Sequence, residues 1–147
     1  MGLKSINHTS FTVADVAAAA EWYRDMLGFE IVSDAKRPGD FCEAVTGIPG
    51  AEMRIIYLKT AGNFIELIQY TGGAGVRVDT ATNNSGSAHL CFNVEGLRGM
   101  YDALRRKGVR FLGAPVEVPE GPNKGGLVVY FDDLEGNTIE FIEAPEK

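Results

Sequence analysis

The sequence lacks long hydrophobic runs and an excess of positive charge. No apolar stretch approaches the length that crosses a bilayer, and residues 1–13 contain no signal-peptide core. The 14 Lys and Arg residues are outnumbered by 20 Asp and Glu residues, which gives a formal net charge of −6. The field of such a chain repels polyanions. We therefore expect a cytoplasmic protein that binds neither nucleic acid nor membrane.

Cysteine and histidine are scarce. The two cysteines, Cys42 and Cys91, have a spacing that matches neither a metal-binding motif nor a redox pair. We expect both to be reduced, with Cys42 serving as a small packing residue. The two histidines are His8 and His89. With 147 residues, of which 45% are hydrophobic and 23% charged, the chain has the composition of one ordinary globular domain.

The chain contains an internal repeat. HTSFTVADV at 8–16 matches HLCFNVEGL at 89–97, and GNFIELI at 62–68 matches GNTIEFI at 136–142. After each copy of the first motif, apolar residues recur at helical spacing, which predicts a helix in each half. These residues are Val16, Ala20, Tyr23 and Leu27 in the first half and Leu97, Met100, Tyr101 and Leu104 in the second.

Strand-like runs follow each predicted helix. Gly28 and Gly108 stand where a left-handed residue commonly ends a helix. The runs are FEIVS at 29–33, MRIIYL at 53–58, FIELIQY at 64–70, VRFLG at 109–113, LVVYF at 127–131 and TIEFI at 138–142. Each half therefore reads strand, helix, strand, strand, strand.

The predicted fold class is α+β, with two such modules in one domain spanning 1–147. A polar, glycine-rich segment, TGGAGVRVDTATNNSGS at 71–87, has the composition of a surface connection. We place module one at about 1–70, the linker at about 71–86 and module two at about 87–147. The edge strands and amphipathic helices of such small modules lead us to expect a homodimer.

The two repeated glutamates, Glu66 and Glu140, stand among residues that belong in a hydrophobic interior. Burying an ionised carboxylate costs several kcal/mol unless a charged or hydrogen-bonding group meets it. His8 and His89 share their strand faces with small polar residues, as the lining of a cavity would. Two imidazoles and two carboxylates suit a divalent ion such as Ni, Co, Mn, Fe or Zn.

A structural interpretation competes for each of these four residues. A lone histidine on a strand is more often a hydrogen-bonded structural residue, and a lone glutamate usually lies on a solvated face. The symmetric recurrence of one histidine and one glutamate in each half favours the metal interpretation. We predict His8, Glu66, His89 and Glu140 as metal ligands.

These motifs resemble the vicinal oxygen chelate superfamily, which includes glyoxalase I, methylmalonyl-CoA epimerase, extradiol dioxygenases and antibiotic-resistance proteins. The resemblance covers INHTSFTVADVAAAAEWYRDMLGFEIV, SAHLCFNV and DLEGNTIEFIE, with Leu134 where proline is usual. It implies two βαβββ modules with a curved mixed sheet that encloses a metal site. The ligand positions that it implies are again His8, Glu66, His89 and Glu140.

The order His, Glu, His, Glu is most similar to bacterial glyoxalase I. Glyoxalases commonly hold the carboxylates of glutathione with an arginine before Leu-Gly and an asparagine four residues after the first glutamate. This chain has Asp25 and Tyr70 at those positions. An aspartate repels a carboxylate, and a tyrosine lacks the paired donor and acceptor of an amide. We therefore expect a substrate other than a glutathione hemithioacetal.

The leading hypothesis is a metal-dependent lyase or isomerase that moves a proton on a carbon next to a carbonyl. The metal would bind two vicinal oxygens of a small-molecule substrate and stabilise an enediolate as a Lewis acid. Glu66 and Glu140 are the predicted catalytic residues that take and return the proton.

Other side chains are candidates for the surroundings of this site. The candidate substrate-binding residues are Phe64, Tyr70 and Cys91. Tyr57, Tyr70 and Tyr130 could line or cover the cavity with Phe64, but Tyr57 and Tyr130 occupy equivalent places in the repeat, and we favour a core role for both. The loop VPEGPNKGG at 118–126 is interpreted as a surface turn rather than a mobile cover.

Other functions remain open on the same ligands. The resemblance also allows an extradiol-type Fe(II) dioxygenase, a non-catalytic protein that binds a small molecule such as an antibiotic, or a thiol transferase acting on an epoxide antibiotic. The metal site could lie within one chain or across a dimer.

Overall fold

A computed structural model describes residues 2–145 of the chain. It divides into two units, Met1–Val78 and Asp79–Lys147. The division falls inside the predicted linker at 71–86. Residues 1, 146 and 147, which the predicted module boundaries include, lie outside the described residues.

The first unit is a four-stranded sheet with two helices. Its elements are β1 (Thr9–Thr12), α1 (Val16–Leu27), β2 (Glu30–Arg37), α2 (Gly39–Thr46), β3 (Glu52–Lys59) and β4 (Phe64–Gly72). The strands lie in the order β1-β4-β3-β2. Strand β1 pairs with β4 in parallel, and the other pairs are antiparallel. The sheet is therefore mixed.

The two faces of this sheet carry different side chains because alternate residues of a strand point to opposite sides. Helix α1 covers the face of Gln69, whose side-chain oxygen accepts the Val16 backbone N–H at 3.3 Å. That face is apolar and buried through Ile56, Leu58, Ile65 and Leu67. The opposite face carries Glu66, which lies between Ser10 on β1 and Tyr57 on β3.

Helix α1 begins and ends with the residues that its sequence predicts. The Asp15 side chain accepts the backbone N–H groups of Ala17 and Ala18, which is the hydrogen bonding of an N-cap. Gly28 ends the helix in the left-handed conformation, with φ 72°. The prediction for this glycine is confirmed.

Helix α2 was not predicted. It is eight residues long and buries only Cys42, so it has no apolar stripe that a periodicity search can detect. Cys42 packs with Ala51, Met53 and Ile55 on the face of the sheet that carries Glu66. The predicted packing role of Cys42 is confirmed, because this residue is fully buried and its thiol is free.

The second unit is a five-stranded mixed sheet with one helix. Its elements are β5 (His89–Asn93), α3 (Leu97–Arg106), β6 (Arg110–Phe111), β7 (Val116–Glu117), β8 (Leu127–Asp132) and β9 (Thr138–Glu143). The strands lie in the order β5-β9-β8-β6, and the short β7, which was not predicted, pairs with β8. Helix α3 ends at Arg106 with Lys107 as its C-cap, and the left-handed Gly108, with φ 90°, follows directly. The backbone N–H groups of Gly108 and Val109 donate to the Arg105 and Leu104 carbonyl oxygens, so the predicted glycine end of this helix is confirmed.

One face of the second sheet is an aromatic core. Tyr101 on α3 contacts Phe111 at a ring distance of 4.6 Å, and Phe131 and Phe141 lie 4.7 Å apart on β8 and β9. Helix α3 therefore covers this face. The opposite face carries Glu140, which lies between Cys91 on β5 and Tyr130 on β8.

A tight turn at 133–137 sets the register of β8 and β9. The buried Asp133 carboxylate accepts the backbone N–H groups of Glu135 at 2.9 Å and Asn137 at 2.8 Å. Its second oxygen accepts the Asn137 side-chain amide at 2.9 Å. Because this turn joins the two strands, it places Tyr130 opposite Glu140.

The α+β class and the two repeated modules are confirmed. Each module is curved, and the extra elements are α2 in the first and β7 in the second. No helix in residues 2–145 is long and apolar enough to span a bilayer. The homodimer and the cytoplasmic location stay predictions.

Replacing Asp133 with alanine should destabilise the second unit. The change leaves the partly buried backbone N–H groups of Glu135 and Asn137 without their acceptor, which costs about 2–4 kcal/mol in the free energy of unfolding. Urea denaturation followed by circular dichroism measures this loss. The matched control is Asp102→Ala on the exposed side of α3, which should change stability by less than about 0.5 kcal/mol. Equal effects of the two substitutions would contradict this role for Asp133.

Candidate metal centre

The first histidine and glutamate form a pair in the first unit. His8 Nε2 lies 3.4 Å from Glu66 Oε2, and only 9% of Glu66 is exposed. His8 Nδ1 lies 2.7 Å from the Asn7 side-chain oxygen. Since an amide oxygen only accepts, Nδ1 carries the proton of the neutral ring. Nε2 then directs a lone pair toward the carboxylate, at a distance longer than an ordinary hydrogen bond.

Tyr57 fixes the other oxygen of Glu66. The Tyr57 hydroxyl donates to Glu66 Oε1 at 2.6 Å, because the register of β3 and β4 sets the two residues directly opposite one another. The Tyr57 ring also meets the His8 ring edge to face at 5.6 Å. Burial, together with the hydrogen bond to Glu66 and its charge, raises the pKa of Tyr57 to about 12. The phenol is therefore protonated at neutral pH and remains a donor.

The second unit repeats the pair. His89 Nε2 lies 3.0 Å from Glu140 Oε2, and Glu140 is again 9% exposed. The Tyr130 ring flanks the His89 ring at 5.1 Å. Burial and the charge of Glu140 raise the pKa of Tyr130. The two units thus present the same imidazole and carboxylate, each beside a tyrosine.

Cys91 distinguishes the second pair from the first. It stands next to Glu140 where Ser10 stands next to Glu66. Part of Cys91 is exposed, yet burial of its thiol, a hydrogen bond to Glu140 and the charge of that carboxylate raise the pKa of Cys91 to about 12. The thiol is therefore protonated and donates to Glu140. Glu66 receives a phenol hydrogen bond, whereas Glu140 receives a thiol hydrogen bond.

The structure brings each predicted histidine to the glutamate of its own unit. Across residues 2–145, no group of three or more His, Cys, Asp or Glu side chains is arranged to hold a metal ion. A single centre with His8, Glu66, His89 and Glu140 as ligands stays a prediction.

The chemistry of both pairs fits a divalent cation. Neither Glu66 nor Glu140 forms an ion pair with a lysine or arginine of the described residues. A buried carboxylate that lacks a cationic partner is costly, and a divalent ion would offset this cost. Imidazole nitrogen and carboxylate oxygen are donors that Ni, Co, Mn, Fe and Zn accept.

Two of the three candidate substrate-binding residues lie beside the pairs. Phe64 is 41% exposed and two residues from Glu66 on the same face of β4, and Cys91 contacts Glu140. Tyr70 lies on the Glu66 face too, but it packs against the cluster around Cys42.

The core interpretation missed the role of one tyrosine. Tyr57 does pack against the Cys42 cluster, but its hydroxyl reaches Glu66. Tyr130 is half-buried and lies against His89. The repeat contained a signal for this, because both tyrosines occupy the same place on the strand that precedes a glutamate strand.

The family model of the glyoxalase/bleomycin resistance protein/dioxygenase superfamily matches residues 5–141. The chain is 29% identical to a 2-epi-5-epi-valiolone epimerase from an Actinomyces species, over 98% of this chain and 81% of that protein. It is 26% identical to a lactoylglutathione lyase from Haemophilus influenzae, over 94% of this chain and 91% of that protein.

A solved structure shares the fold. The glyoxalase family protein from Bacillus cereus superimposes with a TM-score of 0.83 at 21% identity, covering 99% of this chain and 97% of that chain. Because the family model spans nearly all of the sequence, the chain belongs to the glyoxalase/bleomycin resistance protein/dioxygenase superfamily.

Proposed function

We propose that this protein is a divalent-metal-dependent isomerase or lyase that moves a proton on a carbon next to a carbonyl. The observation that carries the proposal is the recurrence of one buried glutamate facing one histidine Nε2 in each unit. Membership of a superfamily whose relatives include an epimerase and a lyase supports this class of enzyme.

His8, Glu66, His89 and Glu140 are the proposed ligands of the ion. The four side chains supply two neutral nitrogen donors and two anionic oxygen donors, which leaves positions for substrate on an ion that takes more than four ligands. A bound divalent ion acts as a Lewis acid toward a carbonyl oxygen and lowers the effective pKa of the neighbouring C–H group.

The glutamates carry the proton. A carboxylate that leaves its Nε2 partner when substrate binds can accept a proton from the substrate carbon, and the same or the other carboxylate can return it. Tyr57 holds Glu66 through one oxygen and thereby fixes the orientation of its other oxygen. The Cys91 thiol is a weaker donor, so it restrains Glu140 less than the phenol restrains Glu66.

The epimerase form of this chemistry is favoured over the glutathione-linked form. Asp25, at the position of the glutathione-binding arginine, has its carboxylate engaged by Arg24 at 2.7 Å. Tyr70, at the position of the asparagine, packs against the Cys42 cluster. Neither side chain supplies a cation for a glutathione carboxylate. The epimerase relative accordingly offers the better model for the reaction.

Metal analysis tests the ligand set. Purified protein loaded with Ni, Co, Mn, Fe or Zn should retain about one ion per chain. If the metal site lies across a dimer, the protein should retain one ion per site. Glu66→Gln and Glu140→Gln should each weaken metal affinity by more than about tenfold, since even partners outside the ligand shell contribute about 10–100-fold. The control is Glu52→Gln, an exposed glutamate on the same sheet as Glu66. Unchanged metal content in both site variants would rule out the proposed ligands.

Hydrogen exchange at carbon tests the reaction. In D2O, the metal-loaded protein should catalyse deuterium incorporation next to the carbonyl of a small 2-oxo acid or 2-hydroxy ketone, observed by NMR. Loss of a general base slows such a step by about 10²–10⁴-fold, so Glu140→Gln should show little exchange while its circular dichroism spectrum is unchanged. A Glu140→Gln variant with normal exchange would contradict the role of Glu140.

Tyr57→Phe tests the asymmetry between the pairs. Phenylalanine keeps the ring but removes the donor to Glu66, so metal affinity should fall by about tenfold. The matched control is Tyr130→Phe, because the Tyr130 hydroxyl forms no hydrogen bond within residues 2–145. Competition with a metal-sensitive dye measures both affinities. Losses of equal size in the two variants would show that the Tyr57 hydroxyl has no special role.

A further inference from the structure

Arg37 lies on the same face of the first sheet as Tyr57 and Glu66. It is the last residue of β2 and pairs with Met53, while Ser33 of β2 pairs with Tyr57. The bulge in β2 lies between Ile31 and Ser33, so the side-chain alternation from Ser33 to Arg37 is unbroken. Along the strand direction, the backbone of Arg37 is four residues, about 13 Å, from the backbone of Tyr57. A long arginine side chain covers part of that distance.

The charge of Arg37 is not used by an ion pair in the described part of the chain. Among the other cations of this sheet, Arg54 pairs with Asp34 at 2.6 Å and Lys59 with Glu30 at 3.9 Å, whereas Lys36, like Arg37, forms no ion pair within residues 2–145. Arg37 is half-buried, whereas its neighbour Lys36 is exposed. Partial burial of a guanidinium is costly unless a partner meets it. The position therefore suits an anion that comes from outside the chain.

The charge of Arg37 acts on the candidate site. Its positive charge lies near enough to the Tyr57 hydroxyl to interact with it electrostatically. The backbone of Arg37 is also held in place, because the Cys42 thiol of α2 contacts the Arg37 carbonyl oxygen at 3.7 Å. The backbone of Arg37 thus has a defined place on this face of the sheet.

Arg37 is a cation without an ion-pair partner among the described residues, in a chain that is acidic overall. The formal net charge of −6 disfavours the approach of any anion. A substrate with a negatively charged group therefore needs a local cation, and a planar guanidinium binds carboxylate or phosphate oxygens with two parallel hydrogen bonds.

We propose that Arg37 binds an anionic group of the substrate, a carboxylate or a phosphate, while the reacting carbon lies at the His8 and Glu66 pair. This inference rests on the proposed function, since it names the substrate class of the same site. The substrate is then a small carbonyl compound whose anionic group is separated from the reacting carbon by a short chain. Arg37 selects such compounds over neutral ones of the same shape.

Calorimetry with matched probes tests the proposal. 2-Oxoglutarate carries a distal carboxylate, and 5-methyl-2-oxohexanoate replaces it with an uncharged group of similar shape. Wild-type protein should bind 2-oxoglutarate about tenfold more tightly, because a hydrogen bond to a charged group adds this order of affinity. A third probe, 2-oxo-4-phosphonobutanoate, carries a phosphonate in place of the distal carboxylate. Comparing its affinity with that of 2-oxoglutarate shows whether the site prefers a phosphate-like anion or a carboxylate.

Substitutions of Arg37 test whether this residue causes the preference for the anionic probe. Arg37→Gln should abolish it, and Arg37→Lys should retain only part of it because an ammonium group lacks the planar fork. Lys36→Gln, which removes the same charge from the adjacent exposed residue, should leave the preference unchanged. Equal binding of the two acids by wild-type protein, or an unchanged preference in Arg37→Gln, would overturn the proposal.

The same titrations without metal separate this inference from the proposed function. The Arg37-dependent preference should persist in metal-free protein, because the distal anion does not contact the ion. If added metal strengthens the binding of neither acid while the preference remains, the proposed function fails and the assignment of Arg37 stands.

Discussion

The burial of two carboxylates is the constraint on which the site depends. Glu66 and Glu140 stand on central strands, and their immediate neighbours along the chain are buried apolar residues. Such a group is tolerated only where hydrogen-bond donors or cations compensate for lost water. Here a phenol donates to Glu66 and a thiol donates to Glu140. These hydrogen bonds offset only part of the cost of burying a carboxylate, and a bound divalent ion would offset more of it.

The sheets supply this arrangement through register rather than through loops. A parallel pairing sets β1 beside β4 and β5 beside β9, so each module's opening histidine lies near its closing glutamate. An antiparallel pairing sets a tyrosine opposite the same glutamate. Strands hold side chains more precisely than loops do, which suits a pair whose side chains need fixed positions. The helices cover the opposite, apolar faces.

Much of the fold and of the candidate site could be predicted from the sequence, because the site residues recur at equivalent positions of the repeat. His8 and Glu66 recur as His89 and Glu140, and helix α1 carries both an apolar stripe and its caps. The helix α2 was invisible because eight residues with one buried side chain produce no periodic signal. The hydrogen bond from Tyr57 to Glu66 depends on the register of β3 and β4, and the strand face of Arg37 depends on a bulge in β2. No local sequence pattern specifies either. Which charged side chains form ion pairs likewise depends on the folded structure and cannot be predicted from the sequence alone.

The different donors at the two glutamates show that the repeat is not exact in its chemistry. A tyrosine stands opposite each glutamate, and in the first unit its phenol donates to the carboxylate, whereas in the second unit the Cys91 thiol is the donor. A thiol is the weaker donor of the two. Two halves built on one motif therefore give their glutamates unequal freedom to exchange hydrogen-bond partners.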